Sequence, residues 1–509
     1  SKGTGEASVA ARSSTAVLLG NFVQAARLWL RFPADPPSSQ GGSLTMDLGS
    51  DSKCLQSMLA AHLMQIARLE GFSVKLHADV VLPEVIRLLA GCEENPAVQA
   101  QLLWSFVDSF QDNYHLAVLD EMLAACRRIS AHMDITELLQ HLMRRLTAHA
   151  MTQDKDVKQK VWDAFHGYTE HLLKGSSSSS CTPLPSLLDL QHDLLVSSVL
   201  LDPSDIHHVD IILGECVALL AEACANEKLS RTCSQIVVDL MAVPLTQESL
   251  VHKVFLLPHH RKLMVSLSSK AREDAAAAML EALSAGKVIL RDAATVEPLL
   301  ALIDPLLRDE AYRRYEGEGA IPVVAELRPA KSTLEGNNSR HLEHDASLFR
   351  VRQEKVARLV HQISHENPCE GLEMLRVLRR YFEQGGPHRG RFTLPTLGIV
   401  CLQLLEHAAH AESSHETSSL CEPLLKFAHE VAMRLVMLLP LEALRLWLLS
   451  TCVIDRIAGE VFDAATLCAD HFQQALWCLE NEMEGDRAQA CGFQIAAGSL
   501  MHIACLESN

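Results

Sequence analysis

The chain has 509 residues, of which 48% are hydrophobic and 5% aromatic, and its formal net charge is −18. At roughly 100–200 residues per domain, this length predicts two to four domains or one long repeat array, and the apolar content excludes a mainly disordered chain. Nucleic-acid binding requires a basic surface, so the acidic balance argues against it, and no run of Lys or Arg is longer than a pair.

Helices are the predicted elements along the whole chain. Leu and Ala dominate the apolar residues, and apolar positions recur at the i, i+3, i+4 and i+7 spacing of an amphipathic helix. About twenty helices and no alternating strand are predicted from this periodicity. In chain order they lie near residues 15–31, 55–70, 79–91, 97–110, 115–129, 134–150, 157–173, 186–201, 206–225, 230–285 in several pieces, 292–308, 348–381 and 392–505.

The connections between these helices are mostly short and carry turn residues, such as Glu94-Asn95-Pro96 and Asp112-Asn113. Many short helices joined by brief loops exceed what one globular core usually holds, and they commonly stack as helix hairpins. No fixed motif repeats at any period, which disfavours tetratricopeptide and ankyrin repeats. The predicted fold is therefore all-α, an α-solenoid of HEAT-like helix pairs.

Three stretches interrupt the helical pattern and are predicted to be loops or linkers. Residues 33–52 are rich in Pro, Gly and Ser, residues 174–185 contain five consecutive serines, and residues 315–345 mix Gly, Pro and charge. The last stretch is the predicted internal boundary. It divides the chain into an N-terminal and middle part of the solenoid, residues 1–314, and a C-terminal half, residues 346–509.

The longest apolar stretch, Val431 to Ile454, is interrupted by Arg434, Pro440 and Glu442. A membrane span needs about 18 or more consecutive apolar residues, so we predict two amphipathic helices that meet at Pro440. Fifteen cysteines without a CxxC spacing are predicted to be reduced, mostly buried thiols of a cytosolic protein.

Sequence motifs of catalysis are missing from the chain. There is no GxxxxGK[ST], GxGxxG, GxSxG or HExxH pattern. Histidines lie close together at His407, His410 and His415 and at His341 and His344, but no Cys or carboxylate completes a recognisable ligand set beside them. The sequence therefore predicts no enzyme, cofactor or metal site, with a metal-dependent enzyme built on these histidines as the alternative from another class.

One segment of the C-terminal half has a more specific pattern. Arg391-Phe392-Thr393-Leu394-Pro395 follows Gly385-Gly386 and precedes an apolar helix. Thr393 is suited to cap free backbone N–H groups, and Pro395 is suited to the first turn, where its missing donor costs nothing. We therefore predict a helix start at Thr393.

This segment resembles the matching helix start in the family of vacuolar protein sorting-associated protein 35, the large α-solenoid subunit of retromer. A second segment, Phe110 to Leu119, is similar to the family's Phe-Pro-Asp-Glu-Phe-His-Leu region. Further similar segments follow in the same order as in the family: Leu18 to Phe22 with Trp29, Leu69 to Gly71, Leu444 to Trp447, and Glu480 to Gln489.

The resemblance implies a non-enzymatic scaffold that is peripheral on the cytosolic face of endosome membranes. It implies transport from endosomes to the Golgi and the plasma membrane, with arrestin-like and phosphoesterase-fold retromer subunits, sorting nexins and a late-endosomal Rab GTPase as partners. Membrane contact would be indirect. The groove for the phosphoesterase-fold subunit would lie in residues 346–509, with Arg391, Phe392, Thr393, Leu394 and Pro395 as candidate partner contacts.

The chain departs from the family pattern in two respects. The family's N-terminal Pro-Arg-Leu-Tyr-Leu motif, which helps to bind the arrestin-like subunit, has no counterpart here. The chain is also expected to stop before the family's last helix pairs, so that both partner sites would be incomplete. The nearest alternative is another helical-repeat scaffold, either a retriever-type subunit or a karyopherin-like carrier.

Overall fold

The computed structural model describes residues 3–29, 60–69, 72–91, 96–130, 134–175, 182–224, 229–308, 338–410, 415–457 and 464–500. Nearly all of these residues are helical, and their one β interaction is an isolated parallel bridge between Leu290 and Ile363. The predicted all-α class is confirmed. The chain divides into two compact units, Ser1–Leu240 and Met241–Asn509.

The first unit consists of consecutive helices joined by short connections. Residues 60–67 are helical, and a π-helical turn, His77–Val81, joins α2 to α3. The helices are α1 (Gly3–Trp29), α2 (Val74–Leu76), α3 (Leu82–Ala90), α4 (Pro96–Ser109), α5 (Asp112–Ala117), α6 (Leu119–Ser130), α7 (Thr136–Ala150), α8 (Lys155–Gly175), α9 (Leu184–Leu201), α10 (Ile206–Cys224) and α11 (Arg231–Ala242).

The second unit begins with a 3₁₀ turn, Val243–Thr246, and continues as helices. These are α12 (Glu248–Val254), α13 (Pro258–Ser266), α14 (Ser269–Ala285), α15 (Ala293–Leu302), α16 (Asp304–Leu307), α17 (Asn338–Val360), α18 (Pro368–Gln384), α19 (Pro387–His410), α20 (His415–Val436), α21 (Pro440–Arg456), α22 (Ala464–Asn481) and α23 (Asp486–Leu500).

Within each unit, many helices pack against their neighbours in the sequence. In the second unit, α17, α19, α21 and α23 also pack side by side as one row, and α18 and α20 pack as a second row against it. In the first unit, α5 packs on α7 and α6 on α8 in the same way. Neighbour and next-neighbour packing is the arrangement of stacked helix pairs, as the sequence predicted.

The predicted loops are only partly covered by the described residues. Residues 33–52 and 315–337 lie outside them, as do residues 176–181. Helix α8 runs through Gly175 and α9 begins at Leu184, so both ends of the predicted serine-rich loop are helical. The structure places residues 338–345, the end of the predicted linker, in the first turns of α17, and this stretch contains neither Gly nor Pro.

The apolar stretch from Val431 to Ile454 is divided as predicted, since α20 ends at Val436 and α21 begins at Pro440. By length and composition, Pro387–Ala409 is the one described helix that could cross a membrane, and 44% of its most apolar window is buried in the protein. A buried core helix passes the same test, so this is weak evidence for a span. The ten cysteines with described side chains are thiols, and seven of them are buried.

Candidate partner-binding site

The predicted helix start at Thr393 is wrong, because α19 begins two turns earlier. Gly385 ends α18, Gly386 has a positive φ of 84°, and Gly390 N donates to the carbonyl oxygen of Gly386 at 3.1 Å. The chain therefore turns at the two glycines and enters the helix at Pro387, whose fixed φ suits a first turn. Pro395 lies inside the helix instead.

Thr393 consequently has the role of an interior helical residue. Its side chain is 2% exposed, and its Oγ1 lies 3.5 Å from the carbonyl oxygen of Arg389, one turn earlier in the helix. Ser and Thr commonly bond to the preceding turn in this way when they lie inside a helix. The hydroxyl is thus turned toward its own helix and not toward a partner.

Arg389, just before the candidate segment, fastens α19 to the preceding helices. Its buried guanidinium donates to the carbonyl oxygen of Leu306, in the last turn of α16, which also accepts from Gln353 Nε2 at 2.9 Å. The guanidinium lies over the ring of Phe349 of α17, 5.4 Å from its centre. The end of α16 and helix α17 are therefore held against the first turns of α19.

The five candidate residues divide into an interior and a half-exposed group. Thr393 and Leu394 are buried, whereas Arg391, Phe392 and Pro395 are half-buried. The ring of Phe392 packs edge-on against Phe349 at 6.1 Å, and the Arg391 guanidinium lies 5.2 Å from the centre of the Phe392 ring. Only the half-exposed group has surface to offer a partner, and a direct contact by these residues stays a prediction.

A charged groove of about 830 Å³ lies between α18 and α20. Its lining includes four cations and three carboxylates, a balance unlike that of the acidic chain as a whole. The lining residues are Arg376, Arg379, Arg380, Glu383, Gln384, Glu422, Pro423, Lys426, Phe427 and Glu430.

The helical period explains why these side chains line one surface. On α18, the charged residues Arg376, Arg379 and Glu383 recur at helical spacing, while Leu375 and Leu378 face the core. On α20, Glu422, Lys426 and Glu430 are four residues apart and form a matching edge. Polar faces of the two helices thus line the groove together.

Arg379 is the central contact of the groove. Its Nε donates to Glu383 Oε1 at 2.9 Å, its Nη1 pairs with Glu430, and its guanidinium lies 5.5 Å from the centre of the Phe427 ring. Burial works to lower the pKa of Arg379, but the hydrogen bonds with Glu430 and Glu383 outweigh it and raise that pKa. The bond from Arg379 in turn lowers the pKa of Glu430.

This arrangement presents fixed charges of both signs beside the ring of Phe427. Such a surface can bind a folded protein with complementary charges. Charged groups fix the orientation of the partner, and aromatic groups add affinity. Sequence reasoning missed the groove. The one trace of the groove in the sequence was the i, i+3, i+7 spacing of charges on α18. That spacing does not show which helix lies opposite.

Most of the histidine clusters lie outside the side chains that the structure describes. Among the described residues, no group of three His, Cys, Asp or Glu side chains is arranged to hold a metal ion. His407 is exposed, and the side chains of His341, His344, His410 and His415 lie outside the described residues.

Several proteins are similar to this chain in sequence. Three relatives are vacuolar protein sorting-associated proteins 35A and 35B of Arabidopsis thaliana, 24% and 25% identical over 96% of this chain, and protein 35 of Dictyostelium discoideum, 23% identical over 77% of it. The chain spans 58%, 57% and 46% of their respective lengths.

Among solved structures, a circular tandem repeat protein with novel repeat topology covers 98% of this chain and is itself covered in full, at 12% identity and a TM-score of 0.31. A likeness at this score supports no inference about fold or function. The family model of vacuolar protein sorting-associated protein 35 matches residues 2–509. With that match across nearly its whole length, the chain belongs to the vacuolar protein sorting-associated protein 35 family.

Proposed function

We propose that the chain is a non-enzymatic scaffold subunit of retromer, acting in transport from endosomes to the Golgi and to the plasma membrane. The observation that carries this proposal is the family match over residues 2–509. The stacked helix pairs support it, because such an array offers extended surface to several partners.

The phosphoesterase-fold subunit is the proposed partner of the C-terminal half, residues 346–509. The charged groove lies within this half and is centred on Arg379. Because Arg379 is already held by Glu383 and Glu430, the groove is rigid before a partner arrives, and less side-chain entropy is lost on binding. The more exposed Arg376 and Lys426 at its edge supply contacts that a partner can complete.

The other proposed partners follow from the family and not from a described surface. These are the arrestin-like retromer subunit, sorting nexins and a late-endosomal Rab GTPase. The proposed location is the cytosolic face of endosomes, with membrane contact through partners, since a net charge of −18 is repelled by an anionic leaflet.

The test is complex formation between the purified chain and the recombinant phosphoesterase-fold subunit, measured by size-exclusion chromatography with light scattering and by calorimetry. The double variant Arg376→Glu/Lys426→Glu reverses two cations of the groove edge, and we expect it to weaken binding by roughly tenfold or more. The control Arg12→Glu/Arg358→Glu makes the same change of net charge at exposed residues outside the groove. Equal loss in both variants would remove the groove from the proposal.

A further inference from the structure

Two histidines of the first unit contact the same tryptophan but have different polar neighbours. The indole of Trp162 stacks on the ring of His166, with 5.1 Å between ring centres and 8° between planes. It also stacks on the ring of His208, at 3.9 Å and 22°. Trp162 and His166 belong to α8, and His208 belongs to α10. This ring cluster, Trp162, His166 and His208, joins the two helices and has no part in the proposed function.

His166 is half-buried and is bonded to a carboxylate of another helix. Its Nε2 lies 3.1 Å from Glu215 Oε1 of α10. The second oxygen of the same carboxylate, Oε2, accepts a hydrogen bond from Gln191 Nε2 of α9 at 2.9 Å. Gln191 is 1% exposed, so this bond lies inside the protein. Glu215 therefore connects α8, α9 and α10, and α9 packs against both of the other helices.

Three carboxylates favour the charged form of His166. The hydrogen bond with Glu215 raises the pKa of His166 and outweighs burial, which lowers it. Asp163 and Glu170, on the same helix as His166, raise this pKa further. The protonated ring forms a charge-assisted bond with Glu215, which is roughly twice as strong as a neutral one. The neutral ring keeps only the weaker bond.

The other helices packed against α8 also carry charged groups. From α6, the Nη2 of Arg127 lies 3.4 Å from the carbonyl oxygen of Gly167, and the guanidinium lies 5.8 Å from the centre of the Tyr168 ring. The titratable groups of α9 that interact with one another and with Arg144 of α7 are Asp189, His192 and Asp193. The bond between His166 and Glu215 is thus a charged contact that links α8 directly to α10.

His208 is held in the opposite state. Its side chain is 13% exposed, and its Nδ1 lies 3.5 Å from Asp205 Oδ2. Burial lowers the pKa of His208 and outweighs the attraction of Asp205. The neighbouring His207 lowers this pKa further, while Asp163 of α8 and Asp202 raise it. The folded chain therefore favours the neutral ring of His208.

The two rings respond to pH in opposite directions. When folding raises the pKa of a histidine, as for His166, the resulting stability is complete below the ordinary value of 6.5 and is lost as the pH rises through the folded pKa. When folding lowers it, as for His208, the stability is complete above 6.5 and is lost as the pH falls. The packing of α10 is therefore weakened by His166 above pH 6.5 and by His208 below it.

We propose that the ring cluster and the Glu215 carboxylate form a pH-sensitive clasp, which holds α8, α9 and α10 together most tightly near pH 6.5. Above this pH the clasp loosens because Glu215 loses its charged partner on α8. Below it the clasp loosens because His208 gains a charge in a largely buried position. Histidine titrates near physiological pH, so changes of cellular pH alter how often this part of the helix array opens.

The test is hydrogen exchange of the full chain, measured by mass spectrometry between about pH 5.5 and pH 8. Each rate is divided by the intrinsic rate of an unstructured peptide at the same pH, which gives a protection factor. We expect the protection of the α10 amides to be highest near pH 6.5 and to fall about threefold or more toward each end of the range.

Two variants separate the contributions of the rings. His166→Gln keeps a hydrogen-bond donor but cannot titrate, so protection should no longer fall above pH 6.5, while the fall below it remains. His208→Gln should give the reverse pattern, with the fall retained only above pH 6.5. The control His171→Gln, at an exposed position of α8, should retain both falls.

Nuclear magnetic resonance of the ¹³C-labelled histidines gives a second measurement on the folded chain. We expect His166 to titrate above pH 6.5, and Glu215→Gln to lower its pKa by about half a unit or more. Protection of α10 that only rises or only falls with pH would overturn the proposal. So would a His166 pKa at or below 6.5, or a His166→Gln variant that behaves like the control. No retromer subunit takes part in these assays, so their failure is distinct from a failure of the proposed function.

Discussion

Replacement of His77 by Leu should stabilise the first unit, and more strongly in acid. His77 is fully buried in the π-helical turn, and neither ring nitrogen has a hydrogen-bond partner among the described residues. Its ring stacks on Phe106 at 5.3 Å and meets Phe110 edge-on at 4.7 Å. Burial, aided by the neighbouring His115, lowers the pKa of His77 from 6.5 to about 3.

The direction of the pH effect follows from this lowered pKa. Because the folded chain binds the proton more weakly than the unfolded chain, protonation favours unfolding. The stability from the neutral ring is complete above pH 6.5 and is lost as the pH falls from 6.5 toward about 3. At pH 5 the loss amounts to about 2 kcal/mol, since one pKa unit corresponds to about 1.4 kcal/mol.

The magnitude at neutral pH is set by two opposing contributions. Each unpaired buried nitrogen costs about 1–3 kcal/mol, and loss of the aromatic contacts costs about 0.5–1.5 kcal/mol. The low end of this balance is about 1 kcal/mol, so we expect His77→Leu to raise the free energy of unfolding by at least this amount at pH 7. At pH 5 the gain should reach about 3 kcal/mol, because the Leu variant no longer loses stability by protonation at this position.

The assay is urea unfolding followed by circular dichroism at pH 7 and pH 5, together with hydrogen exchange of the α4 amides, which reports on this unit alone. His171→Leu, at an exposed position of the same unit, is the control and should change stability by less than about 0.5 kcal/mol. Destabilisation by His77→Leu at both pH values, or a gain that does not grow between pH 7 and pH 5, would refute the reasoning.

Two further substitutions test the second unit. Gly385→Ala should lower the free energy of unfolding by roughly 2 kcal/mol or more, because the added Cβ would collide with the carbonyl oxygen of Leu307. Gly498→Ala, whose Cβ would meet no atom within 4 Å, should be neutral or slightly stabilising in the same thermal melts. Phe392→Ala should lower the free energy of unfolding by about 2 kcal/mol, because the contact with Phe349 is lost. Phe392→Leu should retain most of that stability. If the Leu variant binds the phosphoesterase-fold subunit more weakly at an unchanged melting temperature, Phe392 contacts the subunit directly.

The sequence predicted the helices well where a local signal stood alone. Pro440 follows the end of one apolar run and opens the next, and the structure divides α20 from α21 there. The start of α19 was predicted wrongly because Pro387 and Pro395 are both suited to a first helical turn, and the helix begins at Pro387. Gly386, with its positive φ, was the decisive residue because it fixes where the chain turns.

The candidate site could not be predicted because it depends on which helices face each other. The charges on α18 were visible in the sequence. Arg379 pairs with Glu430 on α20, however, and the two residues are 51 positions apart in the chain. The π-helical turn at His77 has no sequence signal of its own. The buried setting of His77 comes from Phe106 and Phe110, which belong to α4 and the connection after it.

The most direct test of the account is the stoichiometry of the chain with the phosphoesterase-fold retromer subunit, measured by size-exclusion chromatography with light scattering. A scaffold whose charged groove binds this subunit should form a one-to-one complex, and Arg376→Glu/Lys426→Glu should weaken it while Arg12→Glu/Arg358→Glu should not. A chain that is folded and helical by circular dichroism, yet elutes apart from the subunit at concentrations well above micromolar, would contradict the account.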